Sequence, residues 1–130
     1  MGVFNSLFGS KEPQKEKVSY LKWIPLSSLD QLDTIKKQSK TESILIFKHS
    51  TRCSISRFVL TDFTAHFTYS ANEFGAHYLD LLNQRAISNA IAERFEVQHH
   101  SPQLIIIKNG KAVASASHEG INDLQLSDFL

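Results

Sequence analysis

The sequence predicts an α/β fold in which helices cover both faces of a mixed central sheet, a three-layer α/β/α sandwich. Three features predict it. Short apolar runs, Ile44-Leu45-Ile46-Phe47 and the stretch Gln103 to Ile107, read as buried strands. They alternate with segments whose apolar residues recur at helical spacing, so the first strands require parallel crossovers. Finally, Asn109-Gly110 is a strong hairpin signal, because both residues tolerate positive φ, and it returns the chain as an antiparallel strand. The order is β α β α β α β β α, closing on a ββα unit.

At 130 residues the chain is long enough for one domain with one real core. We divide it into a short N-terminal arm and linker, residues 1–17, and a folded domain, residues 18–130. With 42% apolar and 21% charged residues, the composition is that of an ordinary globular protein. A formal charge of +1 gives no bulk electrostatic case for nucleic acid or an anionic membrane as partner. No apolar run approaches the ~20 residues of a membrane span. The opening MGVFNSLFGS lacks the pattern of a secretory signal. Gly2 with Ser6 matches only the loose myristoylation pattern, and a short arm is the simpler reading. A single cysteine excludes an intramolecular disulfide, so a cytoplasmic address is expected.

Val18 to Ile24 reads as a strand closed by Pro25. Ser27 or Ser28 is the expected N-cap of a helix through Leu29, Leu32, Ile35 and Lys36, with Tyr20 and Trp23 packing over it. A strand from Ser43 to Lys48 follows, then a long helix from Cys53 to about Tyr69 carrying Ile55, Phe58, Val59, Phe63 and Phe67. Asn72-Glu73-Phe74-Gly75 breaks it, and Ala76 to Leu82 is the next strand. Arg85 to Phe95 is a third helix with Ile87, Ala90, Ile91 and Phe95 on one face. After the hairpin strands Gln103 to Ile107 and Ala112 to His118, Asn122 to Leu130 is expected to form a closing helix.

The chemistry centres on Cys53, which opens a helix immediately after a buried strand. A thiol there meets the unpaired N–H groups and positive dipole end of the helix, which favour thiolate. Arg52 and Arg57 flank it, His49 precedes it by one turn's length, and Ser50 or Thr51 is available as a cap. Ser56, one turn on, can donate a hydrogen bond to the thiolate. The blander reading makes both arginines solvated charges and Ser56 a polar residue on an exposed face. Cys53-Ser54-Ile55-Ser56 is C-x-x-S, with serine where a dithiol enzyme carries its resolving cysteine. A mixed disulfide on Cys53 therefore cannot be resolved within the chain, and the cycle requires an external thiol.

Of the six histidines, His99 and His100 lie just before Pro102, and His49 and His100 are candidates for tuning Cys53. Together with Cys53 they form no recognisable metal-ligand spacing, so no metal is expected. His66, His77 and His118 read as surface or strand residues without special role. Asp62 and Asp80 are candidate proton acceptors, with ordinary solvation as the simpler alternative. No phosphate-binding glycine loop or Ser-His-Asp order is present.

A cysteine opening this helix and a proline just before the terminal hairpin, at Pro102, resemble the thioredoxin-like superfamily over most of the chain. Within it, Thr51-Arg52-Cys53-Ser54-Ile55-Ser56 is similar to the T-x-C-x-I-S site of the monothiol bacilliredoxins, also called YtxJ-like. Trp23-Ile24-Pro25-Leu26 and His99-His100-Ser101-Pro102-Gln103 are similar to that family too. Ser54 departs from it, since proline is common there, and the departure bears on fine tuning of the thiol.

The resemblance implies a thioredoxin-like fold with Pro102 cis and close to Cys53. It also implies an enzyme that removes bacillithiol from mixed disulfides on cytosolic proteins. Cys53 and Ser56 would be its catalytic residues. Thr51, Arg52, Arg57, Ser101 and Pro102 would bind substrate: backbone groups of Ser101 would pair with an extended chain, and an arginine would hold a carboxylate of the small thiol. The implied co-substrate is bacillithiol or glutathione, with no bound cofactor, and the partners are S-thiolated cytosolic proteins. Two other readings keep the fold. One is a non-catalytic binding module with an incidental cysteine, and the other a redox sensor whose cysteine becomes S-thiolated.

Overall fold

A computed structural model describes residues 21–130. The strands are β1 (Ile24–Pro25), β2 (Ser43–His49), β3 (Phe74–Asp80), β4 (Gln103–Lys108) and β5 (Lys111–Ser117). The helices are α1 (Asp30–Gln38), α2 (Ser54–His66) and α3 (Arg85–Arg94), and two 3-10 turns, His118–Asp123 and Leu126–Phe129, follow β5. The sheet runs in the order β1-β3-β2-β4-β5. β1, β3 and β2 are parallel, while β4 is antiparallel to both β2 and β5. This is the mixed sheet expected of the sequence.

β2 shows why its run lacks apolar–polar alternation. Ile44 and Ile46 pack with Leu32 and Ile35 of α1 and Ile87 and Ile91 of α3. Leu45 and Phe47 point the other way, into a second core with Val59 and Phe63 of α2 and Ile121 of the first 3-10 turn. Both faces of the strand are covered, so both parities must be apolar. At the hairpin, Asn109 (φ 53°) and Gly110 (φ 78°) are both left-handed, as the Asn-Gly signal requires.

Several elements differ from expectation for identifiable reasons. The predicted arm, Gly2, Ser6 and Tyr20, together with the start of the first predicted strand, lie outside the described residues. What is described of that strand is Ile24–Pro25, an edge segment parallel to β3, where proline is tolerated. Trp23 packs over α2 rather than α1: its ring lies 5.7 Å from Phe47 and 6.1 Å from Phe63, and Nε1 donates to Thr64 Oγ1. Neither Ser27 nor Ser28 caps α1 through its hydroxyl. Gln31 instead reaches back, and its Oε1 accepts the Ser27 and Ser28 N–H groups at 2.7 and 3.0 Å. α2 ends at His66, and Phe74 and Gly75 already belong to β3. The expected closing helix is instead the pair of 3-10 turns, separated by extended Leu124 and Gln125. Asn122, Asp123, Ser127 and Asp128 are weak helix formers, and the few apolar residues there are satisfied by docking on the α2 core.

His77, expected to be an unremarkable strand residue, is buried in β3, and its Nδ1 has no hydrogen-bond partner among the described residues. Burial pushes its imidazole down to about 4. The unfolded chain therefore takes up a proton below pH 6.5 that the folded chain refuses until about pH 4, so stability falls as pH drops through that window. The shift corresponds to about 3 kcal/mol. His77→Leu flattens the dependence of unfolding free energy on pH between 6.5 and 4, as measured by urea denaturation. Equal slopes in both proteins would show that His77 does not govern acid sensitivity.

Candidate functional site

The site forms where β2 runs out. Lys48 pairs with Gln103, so the next positions along the two strands, His49 and Pro102, meet at the same end of the sheet. Cys53 follows His49 by a short turn, closed by the Cys53 N–H donating to the Ser50 carbonyl at 3.1 Å. Pro102 leads directly into β4, and the Ser101–Pro102 peptide bond is cis. The sheet thus brings the cysteine and proline segments, distant in sequence, to one edge.

Cys53 is the N-cap of α2, with extended backbone (φ −102°, ψ 120°), and is partly exposed. Its carbonyl accepts the Arg57 N–H, the first bond of the helix. Among the described residues no side chain caps α2, so neither Ser50 nor Thr51 fills that role. The first turn of a 13-residue helix thus follows the cysteine directly in the chain, and Cys53 Sγ itself makes no capping hydrogen bond to it.

Ser56 is fully buried, contrary to an exposed-face reading. Its Oγ lies 2.7 Å from His49 Nδ1 and accepts the Ser50 N–H at 3.1 Å. Among the described residues no hydrogen bond joins Ser56 to Cys53, so the expected contact gives way to a tie between helix and strand. Strand parity explains it, because His49 shares the α2-facing side with Leu45 and Phe47. Burial holds the His49 imidazole below its ordinary range; the Asp80 carboxylate opposes that shift and the Arg57 guanidinium adds to it. His49 is neutral at pH 7, and its ring sits 5.6 Å from that of Tyr78.

The two arginines differ. Arg57 Nη1 donates to the Thr51 carbonyl at 3.3 Å, bracing the turn that carries the cysteine. Arg52 is exposed and, with Thr51, Leu82 and Asn83, lines a depression of about 450 Å³. Asp80 organises its far wall, accepting from the Leu82 N–H (3.2 Å) and Asn83 Nδ2 (2.7 Å). Asp80 therefore has a structural role in that wall. Asp62 lies on α2 and pairs with His66 at 3.3 Å.

On the other side of the site, Ser101 Oγ is buried without a hydrogen-bond partner among the described residues, and the Pro102 carbonyl accepts the His118 N–H. His118 itself is left-handed (φ 54°). His100 donates its backbone N–H to Gln103 Oε1, which helps hold the loop before β4. His99 instead lies 3.2 Å from Lys48 Nζ and 3.3 Å from Ser88 Oγ, joining a cluster on the α3 side. Sequence reasoning missed Lys48, Leu82 and Asn83. Only for Lys48 was there a signal, since its parity places it with Ile44 and Ile46 in the core.

Comparison with known proteins agrees with this arrangement. A family profile described as monothiol bacilliredoxin BrxC matches residues 24–126. A structure assigned as an oxidoreductase with a thioredoxin fold is 33% identical, with a TM-score of 0.64 over 75% of this chain and 84% of that one. The thioredoxin of Malassezia sympodialis superimposes with a TM-score of 0.69 at 17% identity, over 86% of this chain and 94% of its own. That of Fasciola hepatica gives 0.59 at 18% identity, over 82% and 98%. At those identities the two thioredoxins speak for the fold alone. The fold is thioredoxin-like, and the chain belongs to the monothiol bacilliredoxin family.

Proposed function

We propose that the chain is a monothiol thiol–disulfide oxidoreductase that strips an anionic low-molecular-weight thiol, bacillithiol or a close analogue, from proteins carrying it as a mixed disulfide. The observation that carries this reading is the pairing of a partly exposed Cys53 on a helix N-terminus with a buried, hydrogen-bonded serine three residues on. In the first step the Cys53 thiolate attacks the small thiol's sulfur. A Cys53–small-thiol disulfide forms, the original S–S bond breaks, and the target cysteine leaves as thiolate. In the second step an external thiolate attacks the adduct on the small-thiol sulfur, releasing a symmetrical or mixed small disulfide and regenerating the Cys53 thiolate. No electrons are left over and no bound cofactor is needed.

In this reading Arg52 holds a carboxylate of the small thiol in the depression with Thr51, and Arg57 supports that loop through its bond to the Thr51 carbonyl. Backbone groups of Ser101, ahead of the cis bond, offer an edge for an extended substrate. Ser56 and His49 act as positioning residues behind the sulfur. The targets are S-thiolated proteins of the cytoplasm.

Incubating the protein with bacillithiolated and with glutathionylated test proteins and measuring intact masses provides the test. The expected product is a single small-thiol adduct on Cys53 with matching loss from the target, absent in Cys53→Ser. Targets that keep their small thiol in both series would overturn the reading.

A further inference from the structure

Cys53 stands between two surfaces of opposite character. The two residues before it, Thr51 and Arg52, line the polar depression already described. The two after it, Ser54 and Ile55, begin a second groove of about 530 Å³ that continues through Phe58, Val59, Asp62, Glu119 and Asn122. Its floor is apolar and unusually open to solvent: Ile55 is 55% and Phe58 75% exposed. α2 does not place these side chains in the core. Ser56, Val59 and Phe63 define the buried face, and 3.6 residues per turn rotates Ile55 and Phe58 well away from it. The rim is acidic, with Asp62 on α2 and Glu119 on the first 3-10 turn, and among the described residues no basic one lines the groove. His66 pairs with Asp62 at 3.3 Å on the side of α2.

We infer that this groove docks the protein half of the mixed disulfide, and that the preferred target carries an apolar and a basic residue beside its S-thiolated cysteine. The inference rests on the proposed exchange reaction and assigns the two halves of its substrate. Charge divides them. An anionic small thiol is repelled by Asp62 and Glu119 and accommodated by Arg52, whereas a lysine or arginine of the target meets the reverse. Continuity with the sulfur fixes the geometry, because Ser54 and Ile55 adjoin Cys53 directly. A target side chain seated on Ile55 and Phe58 therefore holds the scissile S–S bond over the thiolate. A large exposed aromatic beside a reactive atom is the kind of residue that carries interface energy.

The test compares three S-bacillithiolated substrates: a cysteine peptide flanked by leucine and lysine, the same peptide with aspartate for lysine, and cysteine alone. The wild type favours the leucine–lysine peptide. Phe58→Ser lowers kcat/KM for that peptide relative to free cysteine by about tenfold, chiefly through KM. Asp62→Lys with Glu119→Lys reverses the preference between the two peptides. All these positions are exposed or half-buried, so an unchanged melting temperature accompanies the change. Three results overturn the proposal. One is peptide preferences that survive both variants. Another is discrimination that appears only after deleting residues 1–17, which would mean that the arm occupies the groove. The third is a Phe58-dependent dimer in sedimentation, which would make a second copy the occupant. Should the wild type take bacillithiol from none of the three substrates, the exchange reading itself falls and the docking role with it.

Discussion

Ser56→Cys shortens the lifetime of the Cys53 adduct by at least about a hundredfold, because it converts an intermolecular step into an intramolecular one. In the proposed cycle the native adduct waits for an external thiol. With a thiol three residues on, in the first turn of α2, the pair has the C-x-x-C spacing of a dithiol enzyme. The introduced thiolate attacks Cys53 Sγ, a Cys53 disulfide forms, and the small thiol leaves as thiolate. Intact mass then shows the loss of two hydrogens where the native protein shows the mass of bound small thiol. The substitution also costs stability. Ser56 Oγ is fully buried and is the partner of both His49 Nδ1 and the Ser50 N–H. Sulfur satisfies these poorly, so unfolding free energy falls by about 1–3 kcal/mol. An adduct of unchanged lifetime in a folded variant would mean that position 56 does not face the sulfur, and that the C-x-x-S reading of the cycle is wrong.

What could be read from the sequence was what depends on local pattern. Ile44 to Phe47 announced a doubly covered strand, Asn109-Gly110 announced the hairpin, and Cys53 with Ser56 announced a one-thiol helix start. What was missed depends on which way a helix is turned against the sheet. Ile55 and Phe58 share the helical spacing of Val59 and Phe63, and only the docking of α2 decides that they face water. Likewise Asn122 to Leu130 has apolar residues enough for a helix. Packing its chain against α2 is satisfied equally well by two short turns, which intrinsic propensity there does not oppose. The tie between His49 and Ser56 joins two elements that sequence reasoning treated separately. Parity along β2 would have joined them, since a residue two beyond Phe47 must also face α2.

The same parity makes the strongest stability expectation in the molecule. Lys48 continues the Ile44–Ile46 face and is fully buried, its Nζ donating to the Ser88 carbonyl and lying 3.2 Å from His99 Nδ1. Burial pushes its ammonium down to about 8 from 10.5. At pH 7 Lys48 is charged in both states, and the folded state bears the desolvation cost. Between pH 8 and 10.5 the folded chain has released this proton while the unfolded chain still holds it, so its contribution to stability rises with pH. The shift corresponds to about 3 kcal/mol. Lys48→Met is therefore more stable than the native protein at pH 7 by as much as about 3 kcal/mol, less whatever its two hydrogen bonds contribute. The advantage shrinks towards zero by pH 10.5. Tyr78, whose phenol is held above its ordinary range by burial and by Asp80, acts in the opposite direction at high pH, but it does so in both proteins and cancels from the difference. A second readout is local. His99 is held below its ordinary value by burial first and then by Lys48, Arg85 and His100, so it titrates nearer the ordinary histidine value once Lys48 is gone. Lys48 also ties the end of β2 to α3 and to the loop that delivers Ser101 and Pro102. Amide exchange across residues 96–102 accordingly quickens in Lys48→Met even as global stability rises. A variant less stable than the native chain at every pH between 7 and 10.5 would show that these tethers outweigh the buried charge.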